Sequence, residues 1–143
     1  MSTQDYIQYF KRYCDDNGLR ATPPRLYVLE IVAKAKTPIT AYDVLDRLGE
    51  KLDKPKPPTA YRALDFLSTQ GFIHRIESLN AYVTCDEDHH HAGSQFMICD
   101  SCGRVEEVHL CHVPEGLVKQ MDKSGFKLSH WNAELHGLCD KCS

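Results

Sequence analysis

The stretch KPKPPTAYRALDFLSTQGFIHRIESLNAYVTC, residues 54–85, decides the fold. Lys54-Pro55-Lys56-Pro57-Pro58 reads as a rigid basic connector, because each proline fixes its own backbone angle. Thr59 then caps a helix, TAYRALDFLSTQ, and Gly71 ends it. FIHRIES and AYVTC follow as two short strands around Ser78–Asn80, a hairpin. The order of basic turn, helix and hairpin is that of a recognition helix and its wing. Thr59, Tyr61 and Arg62 lie near the start of that helix. An arginine there reads guanine through two hydrogen bonds, and a tyrosine contacts phosphate or a thymine methyl. Lys54 and Lys56 add positive charge just ahead. The helix alone leaves a second reading open, in which Arg62 makes a surface ion pair and Tyr61 packs.

Upstream, the punctuation fits the same architecture. Thr3 to about Asp16 places Tyr6, Ile7, Tyr9, Phe10 and Tyr13 on helical spacing, with Gly18 as a stop. Thr22-Pro23-Pro24 caps and opens a second helix, since prolines fit a first turn. Leu26, Val28, Leu29, Ile31 and Val32 are its buried stripe. Thr40 caps a third, with Val44, Leu45 and Leu48 inward. The first half therefore reads as a winged helix-turn-helix over residues 1–82.

The second half is built differently. Residues 1–80 hold 12 Lys+Arg against 10 Asp+Glu, while residues 81–143 hold 5 against 10. Six of the seven cysteines and seven of the eight histidines lie in that acidic half. QFMIC and RVEEV alternate like strands around Asp100–Gly103. Val113-Pro114 opens a helix to about Lys123, stopped by Gly125. FKLSHWNAELHGLC is a long candidate strand. The class is α+β: a winged helix-turn-helix, then a small α/β domain over 83–143, with a hinge at about 78–92. An exposed strand edge in so small a module favours pairing with a second copy, a homodimer.

Composition narrows the function classes. At 42% hydrophobic residues the chain can build a core and is not expected to be disordered. No run of about 18 apolar residues exists, so no membrane span is expected. The opening MSTQDYIQYFKRYCDDNG has no apolar signal region, which points to the cytoplasm and a reducing environment. In that setting paired cysteines bind metal more often than they form disulfides. A net charge of −3 is low for a nucleic-acid binder, and bound divalent cations would shift it upward.

Cys99-Asp100-Ser101-Cys102 and Cys139-Asp140-Lys141-Cys142 are two CxxC pairs separated by 36 residues. A two-residue spacer lets both thiolates point at one ion, and two such knuckles make a tetrahedral site suited to Zn²⁺. Four thiolates leave no open position, so the zinc would be structural and would stabilise folding. The competing reading is a redox CxxC, but that needs one pair after a βαβ start.

A second cluster remains: His74, Cys85, Glu87, Asp88, His89, His90, His91, Glu106, Glu107, His109, Cys111, His112, His130 and His136. A site using His74, Cys85, one histidine of the tract and a carboxylate would tie the wing to the second domain. Its occupancy would fix the angle between domains. Ligation by sulfur, nitrogen and oxygen with a single thiolate favours Zn²⁺ over Fe²⁺. The alternatives are a solvated His loop, a wing histidine as polar filling, and a buried apolar Cys85. Cys14, Cys111 and His136 default to packing or surface positions.

These residues resemble the ferric uptake regulator family, and within it the zinc uptake regulator branch. The resemblance rests on LRATPPRLYVLEIV, ITAYDVLDRL, KPPTAYRALDFLSTQGFIHRIES, YVTC, FMICDSCGRVEE and HGLCDKC, and covers nearly the whole chain. It implies a dimeric metalloregulator with structural zinc at Cys99, Cys102, Cys139 and Cys142. It implies a regulatory zinc at His74, Cys85, a tract histidine and Glu107. His91 is the first choice in the tract and His89 the alternative. A third site, seen in some relatives, would draw on His89 and His130. DNA contacts are implied for Tyr42, Tyr61 and Arg62. Zinc is preferred over iron because Cys85 is present and Phe96 stands where iron-sensing relatives have a histidine. Ala60 replaces the usual valine before Tyr61.

The leading function is thus a zinc-activated repressor, with about two zinc ions per subunit, that binds double-stranded operator DNA and silences zinc-uptake genes. The AT-rich palindrome and the target genes come from the resemblance. An iron- or peroxide-sensing member of the same family is the nearer alternative. A zinc-dependent hydrolase is the alternative from another class, although no HExxH motif is present. A zinc-stabilised interaction module that leaves DNA alone is the third.

Overall fold

A computed structural model describes residues 2–35, 37–84, 95–108, 113–129 and 131–143. The chain divides into two compact units, Met1–Asp88 and His89–Ser143.

In the first unit, helix α1 spans Thr3–Asp16. Ser2 caps it: its hydroxyl accepts from the Asp5 N–H, and the Asp5 carboxylate accepts from the Ser2 N–H. That reciprocal box satisfies two of the otherwise orphan donors at a helix start. Helix α2 spans Pro23–Lys34; Thr22 holds the cap position but makes no side-chain bond there. Strand β1, Ile39–Thr40, leads directly into α3, Ala41–Leu48. The Thr40 hydroxyl accepts from the Asp43 N–H at 3.2 Å, so this cap is made as expected. Helix α4 spans Pro57–Thr69, followed by β2, Ile73–Ile76, and β3, Ala81–Thr84. A short 3-10 turn, Glu77–Leu79, joins these strands, and Asn80 closes it at φ +47°, a conformation asparagine tolerates better than most residues.

The expected wing is present, with one strand more than expected. β1 pairs antiparallel with β3, which pairs antiparallel with β2, in the order β1-β3-β2. A two-residue strand has no periodicity of its own to read; its partner defines it.

The core lies between α1, α2, α3, α4 and the wing. Phe10, Val28, Leu29, Val44, Leu48, Leu64, Leu67 and Ile73 are fully buried, each burial stabilising the fold by about 1.5–3 kcal/mol. Phe72 anchors an aromatic cluster, with ring centroids 4.9 Å from Phe10 and 5.1 Å from Tyr13. The Tyr6 hydroxyl donates to the Phe72 carbonyl at 2.6 Å, and the Tyr13 hydroxyl donates to Gln70 at 2.9 Å. Helix α1 is thereby fastened to the end of α4. Gly71 has φ +82° at that end, where a Cβ would be strained.

The second unit holds β4, Gln95–Cys99; β5, Val105–Glu107; α5, Glu115–Ser124; and β6, Ala133–Gly137. Its sheet order is β5-β4-β6. β4 and β5 are antiparallel. β4 and β6 are parallel, in step from Gln95↔Ala133 to Cys99↔Gly137. Phe96 and Ile98 are buried, whereas Met97 between them is 42% exposed, the alternation expected of a sheet with one covered face.

The long strand expected over FKLSHWNAELHGLC is corrected: only Ala133–Gly137 is strand. β4 offers five residues to pair with, and β6 uses all five. Ahead of β6, the buried Gln95 donates its side-chain amide to the Trp131 carbonyl at 3.1 Å, so a side chain and not a ladder holds the approach. No described residue of α5 is buried within this unit, and Leu117, Val118, Phe126, Leu135 and Leu138 are exposed.

Candidate metal centre and nucleic-acid interface

Each CxxC pair sits where a strand stops. Cys99 is the last residue of β4, and the chain turns through Asp100–Cys102 to Gly103 at φ +76°. The Gly103 N–H donates to the Cys99 carbonyl at 3.0 Å, and the Cys102 N–H points at the Cys99 sulfur at 3.5 Å. The second pair follows β6, with the Cys142 N–H donating to the Cys139 carbonyl at 3.0 Å. Because β4 and β6 are parallel and in step, both turns leave the sheet at the same end.

The four sulfurs Cys99, Cys102, Cys139 and Cys142 lie within 4.8 Å of one another. Cys102 Sγ and Cys139 Sγ are 3.8 Å apart. A disulfide requires about 2.05 Å. Four sulfurs about 2.3 Å from a tetrahedral zinc are about 3.8 Å from each other, so the cluster has the dimensions of a Cys₄ zinc site. Hydrogen bonds polarise it. The Cys102 N–H, then the Cys139 N–H, pull the Cys99 thiol down to about 6, while bonding to Cys139 pushes Cys142 up to about 12.

Charged side chains tie one turn to the other. Arg104 Nη1 lies 3.1 Å from Asp140 Oδ1, and Asp100 Oδ1 lies 3.3 Å from His136 Nδ1. His136 Nε2 faces Glu134 at 3.2 Å, and Glu134 first, with Asp100, raises the imidazole pKa. His136 therefore has charged partners on both ring nitrogens, a role the sequence reading left open. A signal was present: both CxxC pairs carry aspartate directly after the first cysteine, Asp100 and Asp140.

The other metal-ligand candidates are distributed as follows. His74 is half-buried on β2 opposite Val83, and its Nε2 is shielded from solvent. Glu107 ends β5 opposite Phe96, with its Oε2 likewise shielded. His74 belongs to the first unit and Glu107 to the second. Cys85, His89, His91 and His130 lie outside the described residues, so the regulatory and third sites do too in part.

On the first unit, the candidate DNA contacts are exposed. Tyr42, second residue of α3, is 79% exposed, and Tyr61 on α4 is 53% exposed. Arg62, Lys54 and Lys56 are exposed; Thr59 is half-buried. One expectation is corrected. Thr59 does not cap α4; Lys56 holds the cap position, and Pro57 and Pro58 form the start of the helix. Prolines lack the N–H that a first turn leaves unbonded, and their fixed φ suits it. Tyr61 and Arg62 consequently stand on the second turn. Ahead of them, Lys54 has φ +45°, an uncommon backbone state for lysine.

Residues 16–136 match the ferric uptake regulator family. The zinc uptake regulation protein of Escherichia coli K12 is 42% identical over 99% of this chain and 83% of its own length. The peroxide operon regulator of Bacillus subtilis is 29% identical over 90% of this chain and 87% of its own. A solved structure of a zinc uptake regulator complexed with zinc and DNA is 41% identical, with a TM-score of 0.84, covering 99% of this chain and 95% of that one. The chain belongs to the ferric uptake regulator family.

Proposed function

We propose that this chain is a zinc-responsive transcriptional repressor that binds operator DNA as a homodimer and represses zinc-uptake genes. The observation that supports this best is the joint presence of a four-cysteine cluster of zinc dimensions and an exposed Tyr42, Tyr61 and Arg62 on a winged helix. The similarity to a zinc uptake regulator complexed with zinc and DNA supports the same reading. So does the higher identity to a zinc regulator than to a peroxide regulator.

Zinc supplies a divalent charge that accepts sulfur, nitrogen and oxygen ligands in tetrahedral array. Cys99, Cys102, Cys139 and Cys142 hold the structural ion. His74, Cys85, His91 and Glu107 hold the regulatory one, with His89 as the alternative to His91; a third site would use His89 and His130. Domains 1–82 and 83–143 meet at a hinge of about 78–92, and ligands on both sides of it set their angle. Tyr42, Thr59, Tyr61, Arg62, Lys54 and Lys56 then address DNA. Exposed Leu117, Val118, Phe126, Leu135 and Leu138 support pairing with a second copy. No helix among the described residues is long and apolar enough to cross a membrane, and a cytoplasmic site of action fits a DNA-binding regulator. The Cys₄ site has no position for substrate water, and the similarity to zinc uptake regulators supports a regulator over a hydrolase for the chain as a whole.

Zinc titration with metal counting and a gel shift on operator DNA tests this. Two zinc ions per subunit are expected, one tight and one exchangeable, with DNA binding following the second. Cys85→Ser should keep the tight zinc and lose zinc-dependent binding. Undiminished, zinc-dependent DNA affinity in that variant sinks the hinge site.

A further inference from the structure

The two cysteine turns are joined by more than their sulfurs. From the first turn, the Asp100 N–H donates to the Gly137 carbonyl at 2.8 Å, and the Cys99 N–H donates to the Arg104 carbonyl at 2.9 Å. The second bond places the Arg104 backbone against the first ligand. Its side chain then crosses to the second turn, reaching Asp140 at 3.1 Å. Asp140 itself lies between two ligands, Cys139 and Cys142. Asp100, between Cys99 and Cys102, makes the reverse crossing to His136 on β6.

An isolated exposed ion pair contributes little, because water screens it and the side chains lose freedom. Arg104 and Asp140 are half or more exposed, so the pair alone does not account for an effect. Its location does. Four thiolates around one divalent ion carry a net charge of about −2. The Arg104 side chain also hydrogen-bonds the Cys139 sulfur, and groups that contact metal ligands from outside alter metal affinity by about 10–100-fold.

We propose that Arg104 is a positioning residue for the Cys₄ centre: clasped to Asp140, it holds the second CxxC turn against the first. This rests on the reading of Cys99, Cys102, Cys139 and Cys142 as a zinc site. Arg104 touches no metal; it acts through the turn that presents Cys139 and Cys142. The clasp slows zinc loss, because one turn cannot swing away until the ion pair breaks.

The test uses full-length zinc-loaded protein cleared of exchangeable metal. Release of the tight zinc to a chromogenic chelator is timed. Arg104→Met, which keeps length and removes charge, should release zinc about 10-fold faster. Asp140→Asn should do the same, and the double variant should be no faster than the faster single one. Arg104→Lys should return the rate toward wild type. Lys119→Met, which breaks the comparable Lys119–Glu115 pair on α5 at 3.5 Å, should leave it unchanged. Arg104→Met within twofold of wild type, or no rescue by lysine, overturns the proposal. Tight zinc absent from the wild type, or retained undiminished by Cys99→Ser, would instead overturn the Cys₄ reading itself.

Discussion

Arg62 and Tyr61 put charge and an aromatic hydroxyl on the second turn of α4, both exposed, behind a start made rigid by two prolines. Their backbone position is fixed from below by Ala60, Ala63, Leu64 and Leu67, all buried. Removing Arg62 therefore takes away a contact without disturbing the helix. Arg62→Ala should weaken operator binding by about 1–3 kcal/mol, if it reads a base, and leave thermal stability unchanged. Fluorescence anisotropy across a set of single-base operator variants checks it: lost discrimination at one base pair is the expected outcome. At this scale the cysteines were legible, because CxxC spacing is itself a geometric statement about one ion. Asp100, Arg104, His136 and Asp140 were not. Their pairing depends on which strand lies beside which, and a 36-residue separation hides that.

Helix α3 has only eight residues, and presents Tyr42 from its first turn. So short a helix depends on its cap, the Thr40 hydroxyl. Thr40→Ala should cost about 1 kcal/mol of stability, read by denaturant unfolding, with a larger relative loss of DNA affinity as Tyr42 frays. The α1 cap adds a pH dependence. The Ser2 hydroxyl, then its N–H, hold the Asp5 carboxyl below its ordinary value. A carboxylate depressed in the folded state stabilises it above its unfolded pKa of about 3.9, and that contribution is lost as pH falls through the folded value. Asp5→Asn should accordingly lower Tm at neutral pH, and the gap from wild type should close as the medium is acidified below about pH 4. A gap independent of pH in thermal scans would contradict the cap. Elements with their own punctuation were legible: Thr40 marks a start, Gly71 and Gly125 mark stops. β1 and β6 were not, because their extent is set by a partner strand; β6 ends up with the length of β4. The start of α4 was misread at Thr59 because a threonine after two prolines resembles a cap, whereas the prolines already occupy the first turn.

Over the whole molecule, the two units differ in how they cover their apolar surface. The first encloses Phe10, Leu29, Leu64 and Ile73 completely. The second leaves Leu117 and Val118 exposed on α5, and Leu135 and Leu138 exposed at β6 and beyond. A surface of that kind favours association. Leu117→Glu with Val118→Glu should shift the protein from dimer to monomer in analytical ultracentrifugation while the tight zinc stays bound. An unchanged dimer would move the interface elsewhere. The loss of DNA affinity should then be large, since two recognition helices address one palindrome only when joined.

The in-step pairing of β4 with β6 also sets where the chain can change length. Cys99 and Gly137 lie side by side, and Cys139 follows two residues on. One residue added inside β6 would turn its outward side chains inward. It would also advance the second turn by about 3.3 Å, nearly the spacing of neighbouring sulfurs. The 36 residues between the two CxxC pairs, which look like the defining interval, are therefore not what sets the geometry of the sulfurs. What must be preserved is shorter and invisible to a count: the step from strand pairing to thiolate, none on the β4 side, where Cys99 is itself paired, and two residues on the β6 side.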